Sequence, residues 1–379
     1  MDGCESLIDA HECIANWRRS QDGYTKKNYA HPDRRARDHG LMKRTSPEGT
    51  MMKRICAFLV CLEIFSAAAS PLAQAGEKLD KIDFRLDWSL TGYHLPFYWA
   101  AKKGYYREEG LDVDIKQGSG SQQTINLVAG EHDEIGFADY SLMAASVDKG
   151  MKVKAIFGVV QQDAWSIFST ADKPIQKPAD LIGKSIVLVV DHKPMIDLLM
   201  KLNGIDPNAV QLRLVNPATR GAIFAQRAAD GILAISLYSK ASLGVDSTIS
   251  MALSNYGINL LGQGIIASEA FLTKRPDVAR RFLKATSRAF RETTLESNVE
   301  EALAIAAQMS GATGSLDIPR EQWQKTISRM ATKNTSGKAI GWMSELDWRD
   351  TLKTLRDTGR VNSDIGLGKL YTNEFIPAN

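Results

Sequence analysis

Cysteine is scarce in this chain of 379 residues, and its distribution excludes more than its low number does. The four cysteines are Cys4, Cys13, Cys56 and Cys61, and none follows residue 61. Any domain built from the later residues therefore contains no disulfide, no thiol nucleophile and no cysteine-bound metal. Such a domain has to be stabilised by its hydrophobic core.

An excess of one charge is also missing. The chain has 47 basic and 44 acidic residues, a formal net charge of +3, which gives no electrostatic basis for binding nucleic acid. Hydrophobic residues make up 44% of the chain, a share that is ordinary for a soluble globular protein and sufficient for two compact units.

Catalytic motifs are lacking as well. The sequence has neither a Gly-x-Ser-x-Gly nucleophile elbow nor a zinc helix with paired histidines. The Gly-Lys-Ser tripeptide at 183–185 is not a phosphate loop, because Pro178 stands where the first glycine is needed and a strand follows instead of a helix. We therefore expect no enzymatic activity, no metal and no cofactor.

Only one long apolar run is present, at residues 55–69, and Glu63 interrupts it. The run is too short for a membrane span. It follows Lys53 and Arg54 and precedes the small-residue site Ala73-Gln74-Ala75, which is typical of a secretory signal peptide. We expect a signal peptide at 51–75, cleavage before Gly76 and a periplasmic protein. Cys61 follows Leu59 and Val60, so a lipid anchor is not expected.

A signal peptide that begins 50 residues into the chain predicts an internal start of translation. Residues 1–50 are polar and lack apolar periodicity, so we expect them to be a disordered upstream extension preceding a start at Met51 or Met52. A long but genuine leader is the alternative.

The most informative segment runs from residue 82 to residue 115. Residues 82–86 and 111–115 alternate between apolar and polar as half-buried strands do, and Pro96 is placed for the first turn of a helix between them. A strand, loop, helix and strand in this order predict a parallel pair with a right-handed crossover. The loop with Trp88 and His94 then lies at the carboxyl edge of the sheet, where open α/β sheets bind ligands.

This segment, DWSLTGYHLPFYWAAKKGYYREEGLDVDI, resembles the first lobe of ABC transporter substrate-binding proteins of the nitrate, sulfonate and taurine group, especially their thiamine-pyrimidine-precursor branch. The resemblance continues through GSGSQQTINLVAGEHDEIGFAD (118–139), KPADLIGKSIVLVV (177–190) and YTNEFIP (371–377). It implies an α/β protein with a two-lobed, periplasmic-binding-protein-like (type II) fold. Each lobe would be a mixed sheet flanked by helices, and two hinge crossings would join the lobes.

The alternation of strands and helices predicts where the lobes divide. A prolyl, polar stretch near residues 173–179 favours a first crossing there, and a return crossing is expected around residues 262–267. We therefore expect lobe 1 at 76–172 and 266–379 and lobe 2 at 173–265.

Candidate ligand-binding residues follow the predicted strands. Trp88 is either a core aromatic or a stacking wall, and His94 is either buried or a ligand contact. The serines near residue 120 and Asp139 are equally suited to capping helices. Arg220 is either solvated or the partner of an anionic ligand. The full predicted set is Trp88, His94, Ser119, Ser121, Gln122, Asp139, Tyr140, Gln162, Asp163, Asp191, His192, Thr219, Arg220 and Tyr238.

The resemblance implies a monomer that captures a planar heteroaromatic nutrient, such as a pyrimidine-type vitamin precursor, and delivers it to an ABC permease and its ATPase in the inner membrane. A sulfonate or nitrate anion is the competing ligand class. A related group of enzymes synthesises the thiamine pyrimidine on this fold, but those enzymes carry a cysteine-rich cluster that this chain lacks. The sequence departs from the family at residues 191–194, where Asp-His-Lys-Pro replaces small residues.

Overall fold

The computed structural model describes residues 78–162, 165–235, 243 and 248–378. The predicted extension and signal peptide, all four cysteines, Asp163 and Tyr238 lie outside the described residues. Within the described part of the chain, no helix is both long and apolar enough to cross a bilayer.

The strands of the described residues form two sheets of five strands each. Their bounds are β1 (Asp80–Arg85), β2 (Leu111–Lys116), β3 (Ile135–Asp139), β4 (Val153–Gly158), β5 (Trp165–Ser169), β6 (Ser185–Val189), β7 (Gln211–Val215), β8 (Gly231–Ile235), β9 (Ile249–Ala252) and β10 (Gln263–Ser268).

The two sheets have the same topology. The first has the order β2-β1-β3-β10-β4 and the second the order β7-β6-β8-β5-β9. In each sheet three neighbouring strands are parallel, and the strand next to them is antiparallel. In the first sheet this strand is β10, which the chain supplies after it has passed through the second sheet. In the second sheet it is β5, which the chain supplies directly after it leaves the first sheet. Each sheet is therefore mixed and carries one strand exchanged across the hinge, which is the two-lobed arrangement that the sequence predicts.

The passages between the sheets lie earlier than the sequence predicts. β5 pairs with β8 and β9, so the chain has already entered the second sheet before residue 165, and not at 173–179. The return passage lies between β9 and β10, just upstream of the predicted 262–267. The polar turn at 173–179 was misleading because it lies inside the second lobe, between β5 and β6. The first passage therefore lies between β4 and β5, and the second lies between β9 and β10.

Helices cover both faces of the first sheet. The helices are α1 (Leu95–Lys102), α2 (Tyr105–Glu108), α3 (Ser121–Ala129), α4 (Tyr140–Asp148), α5 (Lys193–Leu202), α6 (Pro217–Ala225), α7 (Glu269–Lys274), α8 (Pro276–Thr293), α9 (Glu296–Ser310), α10 (Asp317–Ile327) and α11 (Glu345–Asp357). On one face Phe84 packs edge-on against Phe97 of α1 and Phe282 of α8, at centroid distances of 4.8 and 5.3 Å. On the other, Tyr140 contacts Trp348 of α11 at 5.2 Å. Burial of these rings fixes the carboxyl edge of the sheet relative to both helical layers.

The two passages are hydrogen-bonded to one another. The backbone N–H of Val160 donates to the carbonyl of Gln263 at 2.8 Å, and the N–H of Gly262 donates to the carbonyl of Val160 at 2.9 Å. Two chain segments that run side by side between lobes form the type of hinge around which such lobes rotate.

Candidate functional site

The loop after β1 holds Trp88 on the surface of the first lobe. Trp88 is 53% exposed, whereas its neighbour Asp87 is 5% exposed. Two glycines of the next loop hold this one in place, since the N–H of Gly118 donates to the carbonyl of Trp88 and that of Gly120 to the carbonyl of Asp87. An indole that is half exposed on a fixed backbone is available for stacking. Its exposure excludes the interpretation of Trp88 as a core aromatic, and its contact with a ligand stays a prediction.

His94 lies behind that loop and has no exposed surface. Its Nε2 is 2.9 Å from Oδ1 of Asp87, and its Nδ1 accepts a hydrogen bond from the backbone N–H of Thr91 at 3.3 Å. Since Nδ1 is the acceptor, Nε2 carries the proton and donates to Asp87. Both ring nitrogens are satisfied inside the lobe, so His94 positions Asp87, in agreement with the buried interpretation, and its contact with a ligand stays a prediction.

Helix α3 begins at Ser121 without a side-chain cap. The N-cap position is Gly120, whose φ of 122° is the conformation that favours glycine. Ser119 precedes the N-cap position, and its backbone N–H donates to Oε1 of Gln123 at 3.1 Å. Ser121 instead accepts from the N–H of Asp139 at 3.1 Å, and Gln122 donates to Asn126 and Ser146. The start of α3 therefore combines exposed polar side chains with backbone donors at the positive end of the helix.

Asp139 ends β3 and begins α4. Its carboxylate accepts a hydrogen bond from the N–H of Leu142 at 2.8 Å, so its capping role is present. Burial raises the pKa of the Asp139 carboxyl to about 6, and this exceeds the lowering by the Leu142 hydrogen bond and the positive charge of Arg360. Tyr140, in contrast, is fully buried and its hydroxyl donates to the carbonyl of Phe157 at 2.7 Å, so it presents no surface in this structure and its ligand contact stays a prediction.

The second sheet contributes a histidine beside an indole. His192 follows β6, and its ring lies 4.2 Å from that of Trp165, the first residue of β5. Nδ1 of His192 is buried and has no hydrogen-bond partner among the described residues. Burial, together with the positive charges of Arg360 and Arg220, lowers the pKa of His192 to about 4. His192 is therefore neutral near pH 7 and offers an unused ring nitrogen.

The remaining predicted residues divide into three groups. Gln162 is exposed at the first passage, and Thr219 is exposed in the first turn of α6. Asp191 lies in the short turn that follows β6, but its side chain is outside the described residues, as are Asp163 and Tyr238 entirely. Arg220 lies close enough to His192 for its charge to lower the pKa of the histidine, and Asp87 lies close enough to Asp139 to raise the pKa of that carboxyl. Which of these residues binds a ligand stays a prediction.

Sequence reasoning missed three residues of this region. Asp87 had no predicted role of its own, and Trp165 lies in a strand that the sequence did not predict. Arg360 follows α11 and is far along the chain from the other site residues. Residues 165–169 do not alternate, because Ile167 and Phe168 are adjacent apolar residues, so periodicity supplied no clear signal for β5. No local signal marks Arg360, since only the packing of α11 against the first lobe brings it near Asp139 and His192.

Comparison with known proteins agrees with this fold. The profile of the family described as NMT1/THI5 like matches residues 91–296. The riboflavin-binding protein RibY of Chloroflexus aurantiacus is 22% identical over 318 residues, which are 82% of this chain and 90% of that protein. The formylaminopyrimidine-binding protein of Halalkalibacterium halodurans is 21% identical over 314 residues, 78% of this chain and 94% of that protein.

Other relatives carry the name of an enzyme. One from Legionella pneumophila, a 4-amino-5-hydroxymethyl-2-methylpyrimidine phosphate synthase, is 23% identical over 308 residues, 78% of this chain and 92% of that protein. Among solved structures, the periplasmic aliphatic sulphonate binding protein SsuA of Escherichia coli aligns with a TM-score of 0.58 at 14% identity, covering 78% of this chain and 99% of that one. The fold is therefore that of the periplasmic binding proteins.

Proposed function

Because this chain belongs to the NMT1/THI5-like family, we propose that it is an exported solute-binding protein which captures a small planar heteroaromatic nutrient between its lobes. The observation that carries the proposal is Trp88, a half-exposed indole held on a fixed loop at the carboxyl edge of the first sheet. A large flat side chain in that place supports stacking on a planar ligand. The names of two relatives, which bind riboflavin and formylaminopyrimidine, support the same ligand class.

The proposed cleft also contains polar groups suited to the edge of such a ring. The Asp139 carboxylate accepts a hydrogen bond from an exocyclic amine, and the amides at the start of α3 donate to a ring carbonyl. From the second lobe, the neutral His192 supplies Nδ1 as a further donor or acceptor, beside Trp165. A pyrimidine with alternating donors and acceptors matches this combination.

The protein releases its ligand to a permease and does not transform it. The site offers no thiol, since no cysteine follows residue 61, and within the described residues no group of three or more metal-ligating side chains is assembled. The first-named relatives are binding proteins, whereas the synthases represent the competing activity. Iron-dependent formation of a pyrimidine by the purified protein would overturn the proposal.

An anionic ligand is the second candidate. Arg220 and Arg360 both place positive charge near His192, and a guanidinium is the preferred partner of a sulfonate or carboxylate. In that case Trp88 makes only van der Waals contact with the ligand and does not stack on a ring, and the affinity falls as the salt concentration rises.

The deciding experiment is native mass spectrometry of the protein purified without refolding, followed by thermal unfolding with pyrimidines, flavins and sulfonates. A ligand that binds the folded state at 100 times its Kd raises stability by about 2.7 kcal/mol. We expect a pyrimidine or flavin to stabilise the wild type, Trp88→Phe to keep part of that shift and Trp88→Ala to lose most of it. Ile182→Ala, which removes another exposed apolar side chain, is the matched control.

If Trp88→Ala left the shift unchanged, the stacking proposal would be wrong. If only sulfonates or nitrate stabilised the protein, the anion class would replace it.

The transport role includes an inner-membrane ABC permease and ATPase, a monomeric state and a periplasmic location. N-terminal sequencing of the secreted product tests the location, since export through the predicted signal yields a chain that starts at Gly76. A product that retains residues before Gly76 contradicts the predicted cleavage.

A further inference from the structure

We infer that the hinge carries a second small-molecule site, separate from the proposed cleft, which takes a small zwitterion with a donor ammonium group. A cavity of ≈ 290 Å³ opens there. The first passage, the second passage, α11 and the loop before α11 all line it, among them Gln161, Asn259, Lys333, Asp347 and Asp350. Gln162 is the one lining residue that also belongs to the predicted cleft set.

Gln161 places an unpaired hydrogen-bond acceptor on the wall of this cavity. Its side chain is 3% exposed, its backbone N–H donates to the carbonyl of Arg329, and its Nε2 donates to the carbonyl of Met330 at 2.9 Å. Its Oε1 is buried without any hydrogen-bond partner among the described residues. Buried polar atoms are nearly always paired, so an unpaired acceptor on a cavity wall indicates a place for an external donor.

The backbone is shaped to hold Gln161 in this position. A Cβ on Gly158 would lie 2.9 Å from both Cγ and Cδ of Gln161. The side chain folds closely over this glycine, which fixes its amide, since the two hydrogen bonds to the loop after α10 hold it from the other side.

The charges on the wall select the ligand. Both oxygens of Asp347 are already engaged, by the hydroxyl of Thr332 and by Nδ2 of Asn334, each at 2.6 Å. Asp350 and Lys333 are exposed and form no ion pair among the residues that the structure describes. One free carboxylate, one free ammonium and an unpaired amide oxygen match a molecule with an ammonium and a carboxylate.

The size of the cavity favours a free amino acid. Pockets for drug-sized ligands span about 300 to 1,000 Å³, so a cavity at the bottom of that range holds only a small molecule. A ligand seated here touches both passages and therefore binds one interlobe angle better than another. By linkage, it changes the affinity of the cleft for its own ligand.

Isothermal titration of the full chain with glycine, L-serine and L-glutamine tests the inference. We expect saturable binding with one site for at least one of them, and none for propionate or ethylamine, which carry only one of the two charges. Asp350→Asn and Lys333→Gln, both exposed substitutions, should each weaken binding by tenfold or more. Glu345→Gln, an exposed carboxylate on the same helix but outside the cavity, should leave it unchanged.

Trp88→Ala separates this site from the cleft. Amino-acid binding that persists in Trp88→Ala supports a separate site, whatever becomes of the proposed nutrient, whereas binding that is lost with Trp88 belongs to the cleft and overturns the inference. The inference is also overturned if none of the amino acids binds at about 10 mM, since the Kd would then lie above the millimolar range. So does binding that Asp350→Asn and Lys333→Gln leave unchanged.

Discussion

Asp139 and His192 are titratable side chains whose pKa values burial shifts in opposite directions. Burial disfavours the charged form of each, so it raises the pKa of Asp139 from 3.8 to about 6 and lowers that of His192 from 6.5 to about 4. Between pH 4 and 6 the folded protein therefore holds an extra proton on Asp139 and lacks one on His192. The first effect lowers stability as the pH rises and the second increases it. In the wild type the two slopes oppose one another.

We predict that single substitutions expose these slopes. In Asp139→Asn only the histidine remains, so the free energy of unfolding should rise between pH 4 and 6.5. In His192→Asn only the carboxylate remains, so it should fall between pH 4 and 6. A shift of two pKa units corresponds to about 2.7 kcal/mol, and partial exposure of both side chains makes each slope smaller than that.

Urea unfolding at closely spaced pH values measures the two slopes. The double variant serves as the control, since it should restore a weak dependence. Identical pH profiles for both single variants would contradict the assigned shifts.

His94 allows a separate prediction about positioning. His94→Ala removes the donor to the buried Asp87 and leaves a cavity, so we expect a loss of about 2–4 kcal/mol in the free energy of unfolding. Because Asp87 precedes Trp88, ligand affinity should fall as well. His132→Ala, at an exposed histidine of the same lobe, should change stability by less than about 0.5 kcal/mol.

Thermal unfolding and ligand titration of both variants check the role of His94. Lower affinity in His94→Ala with unchanged stability would indicate a direct ligand contact after all.

The junction between the loop after β1 and the loop before α3 is the element on which the proposed cleft depends. A Cβ on Gly118 would lie 2.0 Å from the carbonyl oxygen of Leu86 and 2.6 Å from the carbonyl carbon of Asp87. Gly118→Ala must therefore displace backbone, at a cost of about 1–3 kcal/mol, and should move Trp88 relative to α3. Gly366→Ala, which meets nothing within 4 Å and has a φ of −66°, should be neutral.

Circular dichroism melts and titration with the best ligand compare these two glycine variants. Equal stability and equal affinity of Gly118→Ala and Gly366→Ala would contradict the close approach of the two loops.

Periodicity predicts an element when only one of its faces is buried, because apolar and polar residues then recur in a regular pattern along it. The alternation at residues 111–115 predicts β2, and Pro96 with Gly104 predicts α1, both of which are confirmed. β10 was not predicted because all of its residues are buried, so it has no alternation to recognise. Helix α6 begins at Pro217, so Thr219 and Arg220 lie in its first turn.

At the scale of the whole molecule, the fold was predictable and the assignment of side chains to the cleft only partly so. Order along the chain and the family resemblance predict two mixed sheets, since parallel strands with short crossovers leave few arrangements. Exposure decides the role of a side chain, however, and it depends on distant packing. His94 and Tyr140 follow strands of the first sheet, as the prediction required, but aromatic neighbours and α11 bury them.

If the lobes close on the proposed ligand, the distance between them changes on binding, and the lack of cysteine after residue 61 makes this change measurable by labelling. In a chain that starts at Gly76, Lys102→Cys and Lys201→Cys supply one exposed labelling site on each lobe, outside the predicted ligand-binding set. If the lobes close on the ligand, energy transfer between dyes at these sites should change on binding. Dyes at Lys102→Cys and Asp112→Cys, both exposed in the first lobe, should show no change. A ligand that saturates the protein without altering the first pair would rule out closure as the signal that a permease reads.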